Sequence, residues 1–180
     1  MQIHNFKDSK KLGDKGEAIV YQFMLNHPKI ESVMDVRDDR NYQKIDVDYQ
    51  VRMANGTELG VEVKTDSYKS GNIFYETVSA EEVASRGCLD KTQADYLFYY
   101  FINLDRLYIL NMSAYRNFVQ YYQSYFDTQG FRKELKNYRA NNADTYTSIG
   151  YAIPLSFLHS HANNNWMNIY RLQQDYSVAS

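Results

Sequence analysis

Two neighbouring segments in which apolar and polar residues alternate strictly are the strongest constraint on the fold of this chain. The first runs from Ile45 to Arg52 and the second from Leu59 to Lys64, and residues 54–57 (Ala-Asn-Gly-Thr) lie between them. A period of two is typical of a β-strand with two chemically different faces. An Asn-Gly pair between two such segments favours a tight turn. We therefore predict one antiparallel hairpin, apolar on one face and polar on the other.

The polar face of this predicted hairpin carries four charged groups: Asp46 and Asp48 on the first strand, Glu62 and Lys64 on the second. Carboxylates on a sheet face cost free energy unless they are solvated, paired or bound to a cation. A few hard oxygen ligands that leave positions open for water or phosphate oxygens suit Mg²⁺ or Mn²⁺ better than zinc. The alternative interpretation is a solvated face with a cross-strand Lys–Asp pair, worth ~0.2–1 kcal/mol.

Periodicity along the rest of the chain predicts an alternation of helices and strands typical of one α/β domain. Helical spacing predicts a first helix over 11–26, a second after an N-cap at Ser113, and a short third helix that follows Pro154. A polar segment over 132–144 precedes the last strand. The further predicted strands are 32–36, 72–75, 94–102, 107–110 and 148–153.

Composition bounds the class of protein. The chain has 180 residues, of which 44% are hydrophobic and 16% aromatic, so one globular domain is expected rather than a disordered chain. The 18 tyrosines suit half-buried packing positions. The net charge of −2 excludes a broadly basic surface but not a local basic cleft. A single cysteine and the lack of a long apolar segment favour a cytoplasmic protein without a membrane partner.

An ordered set of motifs adds a family resemblance to this pattern. Residues 13–17 (Gly-Asp-Lys-Gly-Glu) lie on the first predicted helix, Asp46 opens one strand, and Glu62-Val63-Lys64 lies on the next. This set resembles the PD-(D/E)xK nuclease superfamily, which has the restriction-endonuclease-like fold. The resemblance covers roughly Gly13 to Leu110, and residues 70–76 and 87–96 strengthen it.

The resemblance implies an α/β fold with a mixed β-sheet core flanked by helices, and a single domain over 1–180 with its core at 13–110 and an extension over 113–180. It implies an Mg²⁺-dependent endonuclease that hydrolyses phosphodiester bonds in DNA, with Mn²⁺ as a substitute metal. The implied metal ligands are Asp46, Glu62 and the Val63 carbonyl. Lys64 would orient the attacking water, and Glu17 would reach the metal through water or a second ion.

Two alternatives stay open at this point. Ile45 stands where the family has proline, so Asp48 is the reserve candidate for the first ligand. A chain that keeps the fold without cleaving DNA would be a binding module for DNA or a protein. One site holds one set of catalytic groups, so an enzyme would need a homodimer or two sequential nicks to cut both strands.

Other chemistry-bearing residues favour the simpler interpretations. His159 and His161 are two residues apart and do not share a helix face, so a surface or capping role is expected. Cys88 lacks a sequence-local partner for nucleophilic catalysis. The basic stretch over 132–139 has interleaved aromatic residues that could contact phosphates, although such stretches are usually solvated faces.

Overall fold

The computed structural model describes residues 6–67, 71–80, 85–138, 145–162 and 165–172. Its helices are α1 (Phe6–Asn26), α2 (Arg40–Gln43), α3 (Cys88–Lys91), α4 (Met112–Thr128) and α5 (Leu155–His161). Its strands are β1 (Ile30–Asp35), β2 (Tyr49–Met53), β3 (Glu58–Asp66), β4 (Asn72–Ala80), β5 (Ser85–Arg86), β6 (Tyr96–Phe101), β7 (Arg106–Asn111), β8 (Arg132–Tyr138), β9 (Thr145–Pro154) and β10 (Met167–Tyr170).

The described strands form two sheets. One has six strands in the order β1-β2-β3-β6-β7-β10, and the other has four in the order β5-β4-β9-β8. In the six-stranded sheet β3 and β6 are parallel and the other neighbours are antiparallel. The predicted α/β class, with a mixed sheet and flanking helices, is therefore confirmed, and a second sheet is added to it.

The chain forms two compact units that alternate along the sequence. The six-stranded unit consists of Leu12–Lys69, Thr92–Tyr115 and Asn163–Ser180, whereas the four-stranded unit consists of Met1–Lys11, Ser70–Lys91 and Arg116–Ala162. The segment predicted as a C-terminal extension thus contributes to both units. No helix in the described ranges has the length and apolar character needed to cross a bilayer.

Helix α1 packs on one face of the six-stranded sheet. Its buried residues Val20, Phe23 and Met24 belong to the same core cluster as Val61 and Val63 of β3. Because side chains alternate along a strand, Glu62 and Lys64 lie on the opposite face. The apolar/polar alternation that predicts the hairpin is therefore the alternation that separates the core from the charged residues.

The predicted hairpin is confirmed, but its first strand starts later than the sequence indicates. Pairing of β2 with β3 begins at Tyr49 opposite Val61, and Asp46 lies in a turn with φ +48°. An aspartate tolerates this left-handed conformation better than most residues. The alternation continues through the turn because Val47 packs in a separate small cluster with Val36 and Ala94. The prediction that Asp46 and Asp48 share one strand face is therefore wrong.

The four-stranded unit is organised around aromatic rings. The ring of Phe126 on α4 lies with its centroid 5.6, 5.5 and 5.4 Å from those of Phe131, Tyr151 and Phe157. Most of the tyrosines that the sequence assigns to packing are buried or half-buried, but Tyr121 is 81% exposed. Tyr125 is also exposed, at 43%, so the predicted packing role holds for most of the described tyrosines but not for these two.

Two local predictions in the second half of the chain are corrected. The amide of Ala114 donates to Asn111 Oδ1 at 3.0 Å, so Asn111 and not Ser113 caps α4. The first part of the polar segment forms β8, whose exposed charges are tolerated at the edge of a sheet because the strand pairs with β9 on one side only. Residues 139–144 of that segment lie outside the described residues.

Gly16 allows α1 to approach β3 closely. A Cβ added at Gly16 would lie 1.9 Å from Thr65 Oγ1 and 2.6 Å from Thr65 Cβ, so a larger residue forces the helix away from the strand. Gly13, one turn earlier, has room for a Cβ, with the nearest neighbouring atom 3.8 Å away. The two glycines of the motif therefore differ in their structural role.

We predict opposite effects of alanine at these two glycines. Gly16→Ala should lower the free energy of unfolding by about 1–3 kcal/mol because the added methyl overpacks the helix–strand contact. Gly13→Ala should leave stability unchanged or raise it by up to about 1 kcal/mol, since alanine is the better helix former. Urea denaturation monitored by circular dichroism measures both. Equal stability of the two variants would contradict the assigned contact.

Candidate active site

The site forms where β2 and β3 separate. Tyr49, the first residue of β2, is opposite Val61 and marks the end of the β2–β3 ladder. Immediately before it, the backbone amide of Asp48 donates to the Val61 carbonyl at 2.9 Å, and Asp48 Oδ2 accepts from the backbone amide of Val63 at 2.8 Å. The Asp48 carboxylate thus accepts the hydrogen bond that a backbone carbonyl of β2 would accept if the strand continued alongside β3.

Glu62 and Lys64 project from β3 beside this carboxylate. Glu62 is only 4% exposed, and its carboxyl group shares a hydrogen bond with that of Asp48. Lys64 Nζ lies 2.9 Å from Glu62 Oε1, and the lysine side chain is 38% exposed. The buried Glu62 carboxyl therefore contacts both the partly buried Asp48 carboxyl and the partly exposed Lys64 ammonium.

Burial and mutual repulsion oppose the presence of two negative charges at this pair. Burial raises the pKa of Glu62 to about 7; the Asp48 and Asp46 carboxylates add to this effect, and Lys64 partly offsets it. Burial also raises the pKa of Asp48, although the Val63 amide and Lys64 favour its charged form. The pair therefore favours the uptake of a proton or a cation near neutral pH.

Asp46 lies near this pair but is held differently. Its turn follows α2, and its backbone carbonyl accepts a hydrogen bond from the Thr92 hydroxyl. Its carboxylate is close enough to raise the pKa of Glu62, and the Asp48 carboxyl shares a hydrogen bond with the Glu62 carboxyl. The structure therefore brings Asp48, Glu62 and Lys64 into contact, with the Asp46 carboxylate close by.

Glu17 reaches the site region through an arginine. Arg37, just after β1, forms an ion pair with Glu17 on α1, and its Nε donates to Asp35 Oδ1 at 2.9 Å. The guanidinium carbon of Arg37 lies 5.2 Å from the centre of the buried Tyr49 ring, a cation–π distance. Glu17 is near enough to Asp48 to contribute to the rise of its pKa.

Arg37 is the site residue that sequence reasoning does not single out. It lies in a polar stretch after a short strand, which is ordinarily a solvated loop. The only local signal is its position two residues after Asp35, where the two side chains can pair across a bend. Its contacts with Glu17 and Tyr49 join residues 12 or more positions away and are therefore not visible in the local pattern.

The donor set suits one hard divalent cation. Two carboxyl groups that share a buried site need a positive partner between them when both are ionised, and oxygen donors are what Mg²⁺ and Mn²⁺ prefer. Within the described ranges no three His, Cys, Asp or Glu side chains are grouped as metal ligands. The carboxylate pair itself is therefore the candidate, with open positions for water and substrate oxygens.

The remaining sequence candidates lie in the four-stranded unit. His161 is exposed, with its Nδ1 2.9 Å from the Phe157 carbonyl, in agreement with the expected surface role. The amide of Cys88 donates to Glu76 Oε2 at 3.1 Å. Neither residue is part of the carboxylate pair.

The raised pKa of Glu62 predicts a pH dependence of stability. Between pH about 4.5 and about 7 the folded state holds a proton on Glu62 that the unfolded state has lost. The free energy of unfolding should therefore fall as pH rises through this range, by up to about 3 kcal/mol. Urea denaturation at pH 5, 6, 7 and 8 measures this fall, and Glu62→Gln should lack it. A pH profile shared by both proteins would refute the buried titration.

Comparison with known proteins adds a distant likeness of fold. No family model matches the chain, and no curated protein matches it. The solved structures include a bacterial homing endonuclease, I-Ssp6803I, which is similar to this chain with 20% sequence identity and a TM-score of 0.45; the match covers 61% of this chain and 72% of that chain. The geometry of the carboxylate pair, and not this likeness, is the basis of the function proposed next.

Proposed function

We propose that the protein is a metal-dependent nuclease that hydrolyses phosphodiester bonds in DNA. The observation that carries this proposal is the contact between the partly buried Asp48 carboxyl and the buried Glu62 carboxyl, with Lys64 bonded to Glu62. Two acids and a lysine at the end of a hairpin ladder are also what the resemblance to the PD-(D/E)xK nucleases requires. Mg²⁺ would be the natural metal, with Mn²⁺ as its substitute.

The residues that would hold the metal are Asp48, Glu62 and the Val63 carbonyl. The Val63 amide and carbonyl lie on the same edge of β3, because the N–H and C=O of one strand residue point to the same neighbour. Since Asp48 binds that amide at 2.8 Å, the carbonyl also faces the side from which the aspartate approaches. Asp48 thus replaces Asp46 in the proposed ligand set, and Asp46 becomes the reserve candidate.

A bound Mg²⁺ would polarise the scissile phosphate and acidify a coordinated water. The chain's own residues would orient the attacking water and stabilise the charge that develops on the phosphate. Lys64 presents a partly exposed ammonium beside the pair, where it can donate to the attacking water or to the charge that develops on the phosphate. Arg37 pairs with both Glu17 and Asp35, and Glu17 is near Asp48. Glu17 is therefore proposed as a positioning residue that acts through the guanidinium rather than as a ligand.

The principal test is Mg²⁺-dependent cleavage of supercoiled plasmid DNA by the purified chain. Lys64→Ala, Glu62→Gln and Asp48→Asn should each lower the cleavage rate by roughly 100-fold or more, because each removes a group needed in the transition state. Glu17→Gln should lower it less than Lys64→Ala. Glu58→Gln is the matched control, since Glu58 is an exposed residue of the same strand and should leave the rate unchanged.

Two results would contradict the proposal. A cleavage rate equal to that of the wild type in Lys64→Ala or Glu62→Gln, with the fold verified by circular dichroism, would contradict the mechanism. A folded wild-type protein that binds DNA without cutting it in Mg²⁺ or Mn²⁺ would instead be the non-catalytic binding module, and cleavage of RNA alone would change the substrate class.

Metal binding distinguishes the two aspartates. We predict that Asp48→Asn abolishes Mn²⁺ binding measured by isothermal titration calorimetry, whereas Asp46→Asn weakens it only modestly. The reason is that Asp48 shares a hydrogen bond with the Glu62 carboxyl and is anchored to β3 by the Val63 amide, whereas Asp46 lies in a turn before β2. The reverse pattern, with binding lost in Asp46→Asn and retained in Asp48→Asn, would move the ligand back to the turn.

A further inference from the structure

A polar cavity lies within the four-stranded unit, and its lining contains none of the residues of the carboxylate pair. It has a volume of about 500 Å³ and lies between one face of the four-stranded sheet and helix α4. Ligand sites of small molecules occupy ~300–1,000 Å³, so the cavity has the size of a binding site. The proposed nuclease mechanism makes no use of it.

The sheet side of the cavity is a row of large polar side chains. Tyr75 on β4 is opposite Tyr151 on β9, which is opposite Arg132 on β8. Residues that pair directly across neighbouring strands project from the same face, and all three line the cavity. Two phenol rings therefore lie beside a guanidinium group along one floor.

The helix side adds a second guanidinium and two amides. Arg116, Gln120 and Gln123 line the cavity from α4, at the i, i+4 and i+7 spacing that puts residues on one helical face. The Nε of Arg116 donates to the Leu89 carbonyl at 3.1 Å, which fixes the orientation of its guanidinium plane. The cavity thus has an arginine on each of its two walls.

The charges of the lining favour an anionic ligand. Asp90, the acidic residue of the lining, accepts a hydrogen bond from the Tyr75 hydroxyl at 2.6 Å. Arg132 pairs with Glu134 at 2.8 Å, but both side chains are about half exposed, and such surface pairs are weak and easily exchanged. The lining therefore carries two arginines, one on each wall, against one aspartate, and its net charge is positive.

We propose that this cavity binds a nucleoside monophosphate unit, with its phosphate at Arg116 and Arg132 and its base beside the tyrosines and glutamines. Guanidinium groups bind phosphate oxygens in pairs of hydrogen bonds. Glutamine amides offer the adjacent donor and acceptor that a base edge requires, and phenol rings provide apolar surface for the base. The unit is either a free nucleotide or one nucleotide of a single strand.

Calorimetric titration of the full chain with deoxyadenosine, thymidine and their 5′-monophosphates tests the proposal, with inorganic phosphate as a further probe. The monophosphates should bind at least about tenfold more tightly than phosphate or the nucleosides, because only they engage both arginines and the base surface. Arg132→Gln should weaken monophosphate binding by about tenfold. Lys133→Gln is the matched control: it removes the same charge from the next residue of β8, which projects from the other face.

A competition experiment with an oligonucleotide determines whether the bound nucleotide is free or part of a strand. If a short single-stranded oligonucleotide displaces the monophosphate from the wild-type chain but not from Arg132→Gln, the bound unit belongs to a strand. If the oligonucleotide does not compete, the ligand is a free nucleotide. Either result supports the site.

Three results would overturn the proposal: no monophosphate binding at millimolar concentration, equal binding by Arg132→Gln and Lys133→Gln, or equal affinity for phosphate and monophosphate. Because Arg132 is exposed, its replacement should not unfold the chain, and Arg116→Lys provides a second variant that keeps the charge but not the paired hydrogen bonds. The readout is binding rather than cleavage, and Arg132 lies outside the proposed nuclease site, so failure of the nuclease proposal leaves this test unaffected.

Discussion

The hydrogen bond from the Val63 amide to the Asp48 carboxylate is the interaction on which the candidate site depends. Before Tyr49 the chain leaves β3, and Val63 lies two residues past Val61, the last residue of β3 that pairs with β2. An amide at that position needs an acceptor, and a carboxylate is a stronger one than a peptide carbonyl. The end of the β2–β3 ladder thereby fixes an acidic side chain next to Glu62.

The Asp48 carboxylate therefore stabilises the sheet at an electrostatic cost. Asp48 completes the hydrogen bonding of the sheet, but it brings a second carboxyl group to a glutamic acid that is 4% exposed, and burial raises the pKa of both. Lys64 offsets the repulsion only in part because its side chain is 38% exposed. A cation between the two acids would remove the rest of this cost, so the same geometry explains both the repulsion between the two carboxyl groups and their proposed affinity for Mg²⁺.

The close approach of α1 to β3 completes the arrangement. Gly16 has no side chain, so the helix can lie against Thr65, and the next residue, Glu17, reaches Arg37. The buried Tyr49 ring lies near the Arg37 guanidinium and belongs to the apolar core beneath the helix. The positions of Glu17 and Arg37 therefore depend on core packing as much as on their own charge pairing.

The sequence by itself determined the hairpin, the first helix, and the placement of Glu62 and Lys64 on the face opposite the core, because these follow from periods of 2 and 3.6 residues read locally. It could not determine where β2 begins, since alternation persists through a turn in which Val47 packs in a different cluster. It also could not identify β8 in a polar segment, or Arg37 as a partner of Glu17. Only the tertiary structure decided that Asp48 lies against Glu62, because the Asp48 carboxylate binds the Val63 amide at the end of the β2–β3 ladder, and a hydrogen bond between residues 15 positions apart leaves no local pattern.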